Sequence, residues 1–397
     1  MENNKIIAIS GQPVTGKGTT VKSIISKLKE HGYSEMNIHV ISTGHEFRNY
    51  FNAIFEFIKN YDQTEKLDEL TQNEYLKIFV EKKEYREILI DTISQLKQSN
   101  IDIHKLNIEH ANNLKEFSGL RKVIDGIIDK GVEEKGRDID SEPRPNDIWL
   151  VDSRLAFHNI PQAFSVRLVS DPKVAAKRLL NDKSRGKEDS QYANLEEALA
   201  ARENRRKGEQ ERYKKRYGVD LEDVDNYNLI IDTSYSTVED TAETILTCLE
   251  CHINNKPFAK NWASPKTLIP LQREQDTMGE GGSFYDLEEL ADKIKEEGYK
   301  PDKAIEVVEV DGVKYIIEGH HRNFAAALIK NTLVPYEVIA KDDEEVIYGG
   351  NARQRANGLQ LRYLSGHEWM IGDDFSYNEV YPGLREKVKE REEAEGR

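Results

Sequence analysis

The chain has 397 residues, 57 Lys+Arg against 72 Asp+Glu, a formal charge of −15 and 38% hydrophobic residues. This allows two or three domains with sizeable cores and argues against a protein that coats nucleic acid, although a local basic site stays open. Two cysteines exclude a disulfide framework and fit a reducing compartment. No run approaches the ~18 apolar residues of a membrane span, and MENNKIIAIS is too short and too soon polar for a signal peptide, so a cytoplasmic protein without a membrane partner is expected.

In chain order, Lys5 to Ser10 is a short apolar run before a Gly-rich turn and predicts a buried strand. Val21, Ile24, Ile25 and Leu28 then recur on one helix face. A second strand is expected near Asn37 to Ile41 and a helix from about Glu46 to Ile58. Residues from about 60 to 118 are charged and helical in pattern, with the look of an inserted segment. Strands follow at Ile148 to Asp152 and Ala163 to Val169. Asp171 caps the next helix, with Pro172 at its first position. A strand at Asn228 to Asp232 and a helix to about Ile253 complete the alternation. That order predicts an α/β layer fold with a mainly parallel sheet. NNKPFAKNWASPKT marks a linker at 254–266, and a second, smaller unit occupies 267–397. The last dozen residues are nearly all charged and are expected to fray.

Gly11-Gln12-Pro13-Val14-Thr15-Gly16-Lys17-Gly18-Thr19 follows a strand and opens a helix, the setting a phosphate-binding P-loop requires. Backbone N–H groups turn inward around phosphate oxygens, and the positive helix end adds to the attraction. Gly11, Thr15, Gly16, Lys17, Gly18, Thr19 and Thr20 are the ATP-binding candidates, and Lys17 would reach the β and γ phosphates. Gly18 stands where a Mg²⁺-binding Ser or Thr is usual, with Thr19 next. Asp152 ends its strand and is a candidate for Mg²⁺ contact through water or for orienting an acceptor. Residues 202–217 carry eight basic and three acidic side chains.

The GxPxxGKGT variant resembles nucleoside monophosphate kinases of the archaeal-type cytidylate kinase family. Ser42-Thr43-Gly44-His45-Glu46-Phe47-Arg48, Asp152-Ser153-Arg154-Leu155-Ala156, Arg202-Glu203, Arg212 to Asp220 and Tyr227 to Thr233 are similar to its motifs in order, over residues 1 to about 252. The resemblance implies a P-loop kinase domain at 1–253 with ATP and Mg²⁺ and a pyrimidine nucleotide as acceptor. It implies that Arg48 and Arg154 hold the acceptor, and that a lid at about 182–217 brings Arg202, Arg205 and Arg212 over the transferring group, with Arg178 on the preceding helix. Catalytic roles then fall to Lys17, Asp152, Arg202 and Arg212, and the metal to Thr19 and Asp152. His45 stands where the family usually has Asp, so the acceptor site is altered.

In the second unit, strand patterns at Ala304 to Val310 and Val313 to Gly319 flank an Asp311-Gly312 hairpin turn. Glu318-Gly319-His320-His321-Arg322 then opens an Ala-rich helix, the makings of an anion site. This stretch resembles the ParB/sulfiredoxin superfamily over about 265–340, an α+β fold, and implies a second phosphate site at those five residues. His320 occupies the place of the sulfiredoxin cysteine, which argues against that chemistry. A small-molecule kinase acting through Glu318 on something like serine, and a nucleotide-gated nucleic-acid-binding or modifying protein, are the alternatives to a nucleotide kinase. Cys248-x-x-Cys251-His252 and the Gly279–Gly282 loop carry no function in this reading.

Overall fold

The computed structural model describes residues 5–60, 72–99, 101–142, 144–181, 192–271, 287–329, 333–361 and 380–396. The chain runs β1 (Lys5–Gly11), α1 (Lys17–Glu30), β2 (Ile38–Ser42), α2 (Thr43–Asn60), α3 (Lys77–Glu81), α4 (Lys83–Gln98), α5 (Ile108–Asn113), α6 (Ser118–Ser141), β3 (Ile148–Asp152), α7 (Ala156–Asn159), β4 (Phe164–Val169), α8 (Pro172–Asn181) and α9 (Leu195–Tyr217). It continues with β5 (Leu229–Asp232), α10 (Val238–Ile253), β6 (Asn261–Ala263), β7 (Leu268–Pro270), α11 (Leu287–Glu297), β8 (Ile305–Val310), β9 (Val313–Glu318), α12 (His320–Leu328), β10 (Val334–Lys341), α13 (Ala352–Ala356) and α14 (Leu384–Glu395). The protein is α/β with mainly parallel strand pairing. Among the described residues no helix is long and apolar enough to cross a membrane. The Gly279–Gly282 loop and the first part of the expected lid, residues 182–191, lie outside the described residues.

Contacts divide the chain into two units. Unit 1 comprises Met1–Ser10, Ser34–Ala163 and Pro172–Glu222. Its strands are parallel in the order β2-β3-β1, with Ile148 opposite both Ile38 and Lys5. β1 and β3 are buried apolar runs, as a parallel sheet covered on both faces requires, whereas β2 carries His39 and Ser42 and leaves Val40 exposed. Ile6, Ala8, Val132, Ile139, Trp149, Val151 and Ile160 form a core against the sheet. A second core fills the helical region, where Phe51 meets Phe55 and Phe117 at ring distances of 5.8 and 5.9 Å. Each fully buried phenyl ring there contributes about 1.5–3 kcal/mol.

The helical region runs past residue 118: α6 extends to Ser141. Of the four glycines in α6, two are points of very close contact. A Cβ on Gly136 would stand 2.9 Å from the Ile160 side chain, and one on Gly126 would stand 2.6 Å from the Arg216 guanidinium. Close approach, and not a break, is what these residues permit.

Unit 2 comprises Gly11–Tyr33, Phe164–Asp171 and Asp223–Arg397. Strands β4, β5 and β6 run parallel, β6 pairs antiparallel with β10, β10 runs parallel to β8, β8 and β9 form a hairpin, and β7 runs parallel to β9. Residues 254–266, read in sequence as a linker, therefore carry a strand that hydrogen-bonds on both sides, and Trp262 and Ala263 are buried there. At the hairpin turn Asp311 and Gly312 both have positive φ, 50° and 79°, as a two-residue type I′ turn demands. The charged C-terminal tail, expected to fray, instead forms α14. Leu384 and Val388, one turn apart, are buried, and Glu392 accepts from the Leu361 N–H at 2.7 Å.

Candidate functional sites: a phosphate-type loop and an arginine seam

The loop after β1 has the backbone of an anion cradle. Val14 and Gly16 both have left-handed φ, 66° and 86°. Such geometry is costly for a β-branched valine and persists only when the surroundings hold it. They do. The Thr15 hydroxyl donates to the Gln12 carbonyl at 2.9 Å, and the Thr233 hydroxyl donates to the Thr15 carbonyl at 3.1 Å. Gly11 is obligatory by space: a Cβ there would lie 2.5 Å from the Leu168 carbonyl oxygen and 2.9 Å from the Thr15 hydroxyl. Gly16 caps α1, a 14-residue helix, with no side-chain hydrogen bond, and the Thr20 N–H returns to the Gly16 carbonyl at 2.9 Å. Lys17 folds back over the loop, its Nζ donating to the carbonyls of Gly11 at 2.9 Å and Gln12 at 3.4 Å. Thr15 and Thr20 are buried, whereas Gly18 and Thr19 are exposed beside the loop.

In unit 1, Ser42 and Asp152 pair in register at the carboxyl ends of β2 and β3. The Ser42 hydroxyl donates to Asp152 Oδ2 and the Thr43 hydroxyl to the Asp152 carbonyl, each at 3.3 Å. Arg154 follows on a turn pinned by Ser10, whose hydroxyl donates to the Ser153 carbonyl at 3.0 Å. Arg48 is exposed on α2, its guanidinium 3.7 Å from where a Cβ on Gly44 would sit, and His45 is exposed one residue on.

The basic segment of 202–217 is the body of α9, capped by the Asn194 side chain and ended by Gly218 in the left-handed conformation. A long helix normally docks through an apolar stripe. This one buries only Ala198, Arg202 and Glu209. Its inward stripe is Arg202, Arg205, Glu209, Arg212 and Arg216, three and four residues apart. The Glu209 carboxylate receives Arg154, and Arg205 Nε at 3.1 Å. Burial alone would raise the Glu209 carboxyl, but Arg154 and Arg205 outweigh it and hold it below the usual range. Facing the stripe is a matching row on α6 at every fourth residue: Arg121, Asp125 and Asp129. Arg212 Nε lies 3.9 Å from Asp125 Oδ2, Tyr217 donates its hydroxyl to Asp129, and Arg216 donates to the Lys122 carbonyl at 3.2 Å. Burial pushes both the Asp125 and Asp129 carboxyls up, against the pull of the arginines. Six arginines and three carboxylates thus share one seam, buried at Arg202 and Glu209 and open to solvent at Arg205, with a surplus of positive charge suited to a multiply charged anion.

The seam joins Arg154 with Arg202, Arg205 and Arg212, while Arg178 lies on α8. The carboxylates, together with Arg121, Arg216, Tyr213 and Tyr217, escaped the sequence reading. The signals were present in the fourfold spacing 121, 125, 129 and in Arg205-x-x-x-Glu209.

In unit 2 the turn at Glu318 to Arg322 is tied to structure. Gly319 caps α12 with φ 99°. His320 is buried, and its Nε2 accepts from the Leu271 N–H at 3.2 Å; burial pushes its pKa down to about 4, so it is neutral at physiological pH. Arg322 donates to the carbonyls of Lys303 and Ala304 at 2.7 and 2.9 Å. Glu318 is exposed and His321 half-buried. Two of the five residues expected at a second phosphate site therefore carry architecture. Cys248 is buried on α10 with its thiol pushed up by burial.

Among the described residues, no group of three or more His, Cys, Asp or Glu side chains could hold a metal ion. A phosphate-bound Mg²⁺ does not require one, because it keeps several waters and takes one or two protein oxygens besides the phosphates.

No protein-family model matches the chain, and no curated protein matches it. Among solved structures, an uncharacterized protein from Eubacterium ventriosum ATCC 27560 is similar at 14% identity and a TM-score of 0.30, over 62% of this chain and 99% of that one. TT1252 from Thermus thermophilus is similar at 14% identity and a TM-score of 0.30, over 63% and 98%. At that level neither likeness carries an argument about fold or function.

Proposed function

We propose that the chain is an ATP-dependent phosphotransferase whose acceptor is an anionic nucleotide of the pyrimidine monophosphate class or a modified relative. The single observation that carries this reading is the Gly11–Thr19 loop. It is a strained, hydrogen-bonded turn with a lysine folded over it and the start of α1, which has no side-chain cap, behind it. Neutralising and aligning phosphates is what phosphoryl transfer asks of a protein.

In this reading the loop N–H groups and Lys17 take the donor triphosphate. Arg154, Arg202 and Arg212, with Arg48, take the acceptor and the transferring group. Mg²⁺, when bound, neutralises charge developing on the phosphate oxygens. Asp152 is oriented by Ser42 toward an acceptor or a metal-bound water. The fold assignment that goes with it is a P-loop kinase region followed by a ParB/sulfiredoxin-like domain.

The test is an acceptor screen with labelled ATP and magnesium on the wild-type chain and Lys17→Ala, including CMP, dCMP, UMP, serine and DNA. Loss of one positively charged phosphate donor is expected to lower kcat by about 10²–10³-fold. Full turnover by Lys17→Ala with every acceptor used by the wild type would overturn the reading and move the chemistry elsewhere.

A further inference from the structure

We infer that α6 is a strut that positions Arg212, with Asp125 as the positioning residue. The inference rests on the proposed role of Arg212 and deepens it by giving the helical region between β2 and β3 a task beyond filling space.

The geometry has three parts. First, Asp125 faces Arg212 at 3.9 Å, and the other charged and titratable groups around it are Arg121 and Asp129 on α6 and Tyr213, Arg216 and Tyr217 on α9. Second, the register of α9 against α6 is fixed on either side of that pair. Tyr217 donates to Asp129, and Arg216 lies in the notch left by Gly126 and reaches the Lys122 carbonyl. Third, Ala198 is the one apolar residue among those α9 fully buries, so these polar contacts, with those to Glu209 and the half-buried Tyr213 and Tyr217, fix where its arginines point. A guanidinium offers donors on two edges. With one edge turned to Asp125, the other can meet a phosphate without the entropy of a free side chain. Arg121 and Arg216 offset the desolvation of the carboxylate.

Asparagine at 125 keeps the shape and removes the charge. Because burial already disfavours that charge, the variant is expected to fold, and Asp125→Glu serves as the conservative rescue. In the proposed reaction Asp125→Asn is expected to lower kcat about 10–100-fold, the scale of a misplaced catalytic group, with the KM for ATP changed less than twofold. A merely structural contact would not alter the pH profile, whereas this one is expected to. The wild type loses rate as acid protonates Asp125 and frees Arg212, whereas Asp125→Asn lacks that acid limb and Asp125→Glu restores part of it.

The second measurement needs no catalysis: amide hydrogen exchange of Arg205 to Tyr217 in the ligand-free full-length protein. Asp125→Asn and Gly126→Ala should each speed exchange there at least tenfold and leave α1 unchanged. Wild-type kcat and an intact acid limb in Asp125→Asn would overturn the inference. Should the wild type transfer phosphate to no acceptor, the proposed function fails, and unchanged exchange in both variants would then refute the strut by itself.

Discussion

Replacing Glu209 by glutamine removes one charge from the seam without changing its volume, and the cost can be worked from the contacts. Glu209 is 8% exposed and receives Arg154 and Arg205. The Arg205 side chain is 49% exposed, so its share is that of a surface pair, about 0.2–1 kcal/mol. The Arg154 side chain is 18% exposed, and a charged hydrogen bond in such a place is worth about 1.5–3 kcal/mol. Two arginines left facing each other add repulsion, so the loss is about 2–4 kcal/mol at pH 7. That corresponds to a fall of roughly 5–12 °C in the melting transition. The sign with pH is fixed by the depressed carboxyl of Glu209. Its contribution is full above the unfolded carboxylate pKa and disappears as pH falls through the folded value. Thermal melts of wild type and Glu209→Gln from pH 7 to pH 3 should therefore converge at the acid end. Equal stability at pH 7, or a gap that persists undiminished to pH 3, would refute the pairing.

Two further outcomes concern unit 2. Gly11→Ala forces a Cβ onto the Leu168 carbonyl and the Thr15 hydroxyl; a loss of about 1–3 kcal/mol is expected, together with weaker binding of an ATP analogue by calorimetry. His320 is held neutral down to about pH 4 in the fold, so its contribution is present above the unfolded pKa of 6.5 and is lost as pH falls toward 4. The swing is up to about 3 kcal/mol. Urea titrations at pH 7 and pH 4.5 should show it, and in His320→Gln the difference between the two pH values should shrink by that amount.

Local features of the chain were readable before any coordinates. The apolar runs of β1, β3 and β5 specify buried strands, because a parallel sheet covered on both faces needs no polar alternation; β4 alternates, with Ser165 and Arg167 buried between its apolar residues. Asp171-Pro172 and Asp311-Gly312 specify a helix start and a hairpin turn, since each depends on backbone preferences of two neighbouring residues. The loop at Gly11 to Lys17 was legible for the same reason.

What escaped the linear reading depends on which surfaces meet. Residues 254–266 carry two prolines and no periodicity, yet three of them add a strand because β5 and β10 both offer backbone partners. The tail is charged throughout, yet Leu384 and Val388 find a face to cover. The task of Gly126 and Gly136 shows only once Arg216 and Ile160 are seen lying against them. His320 and Arg322 have the composition of an anion site, but the backbone around them takes up His320 Nε2 and two of the Arg322 donors. The seam between α6 and α9 is the largest such case. A charged helix face is ordinarily a solvated one, and the Arg205-x-x-x-Glu209 spacing within 202–217 fits a solvated face as well as a buried one. Only a second helix carrying Arg121, Asp125 and Asp129 at matching intervals takes Asp125, Asp129 and Glu209 out of water. Chain-local forces settle where helices, strands and turns begin; burial of charge arises between segments far apart in sequence, and it appears only once the chain has folded.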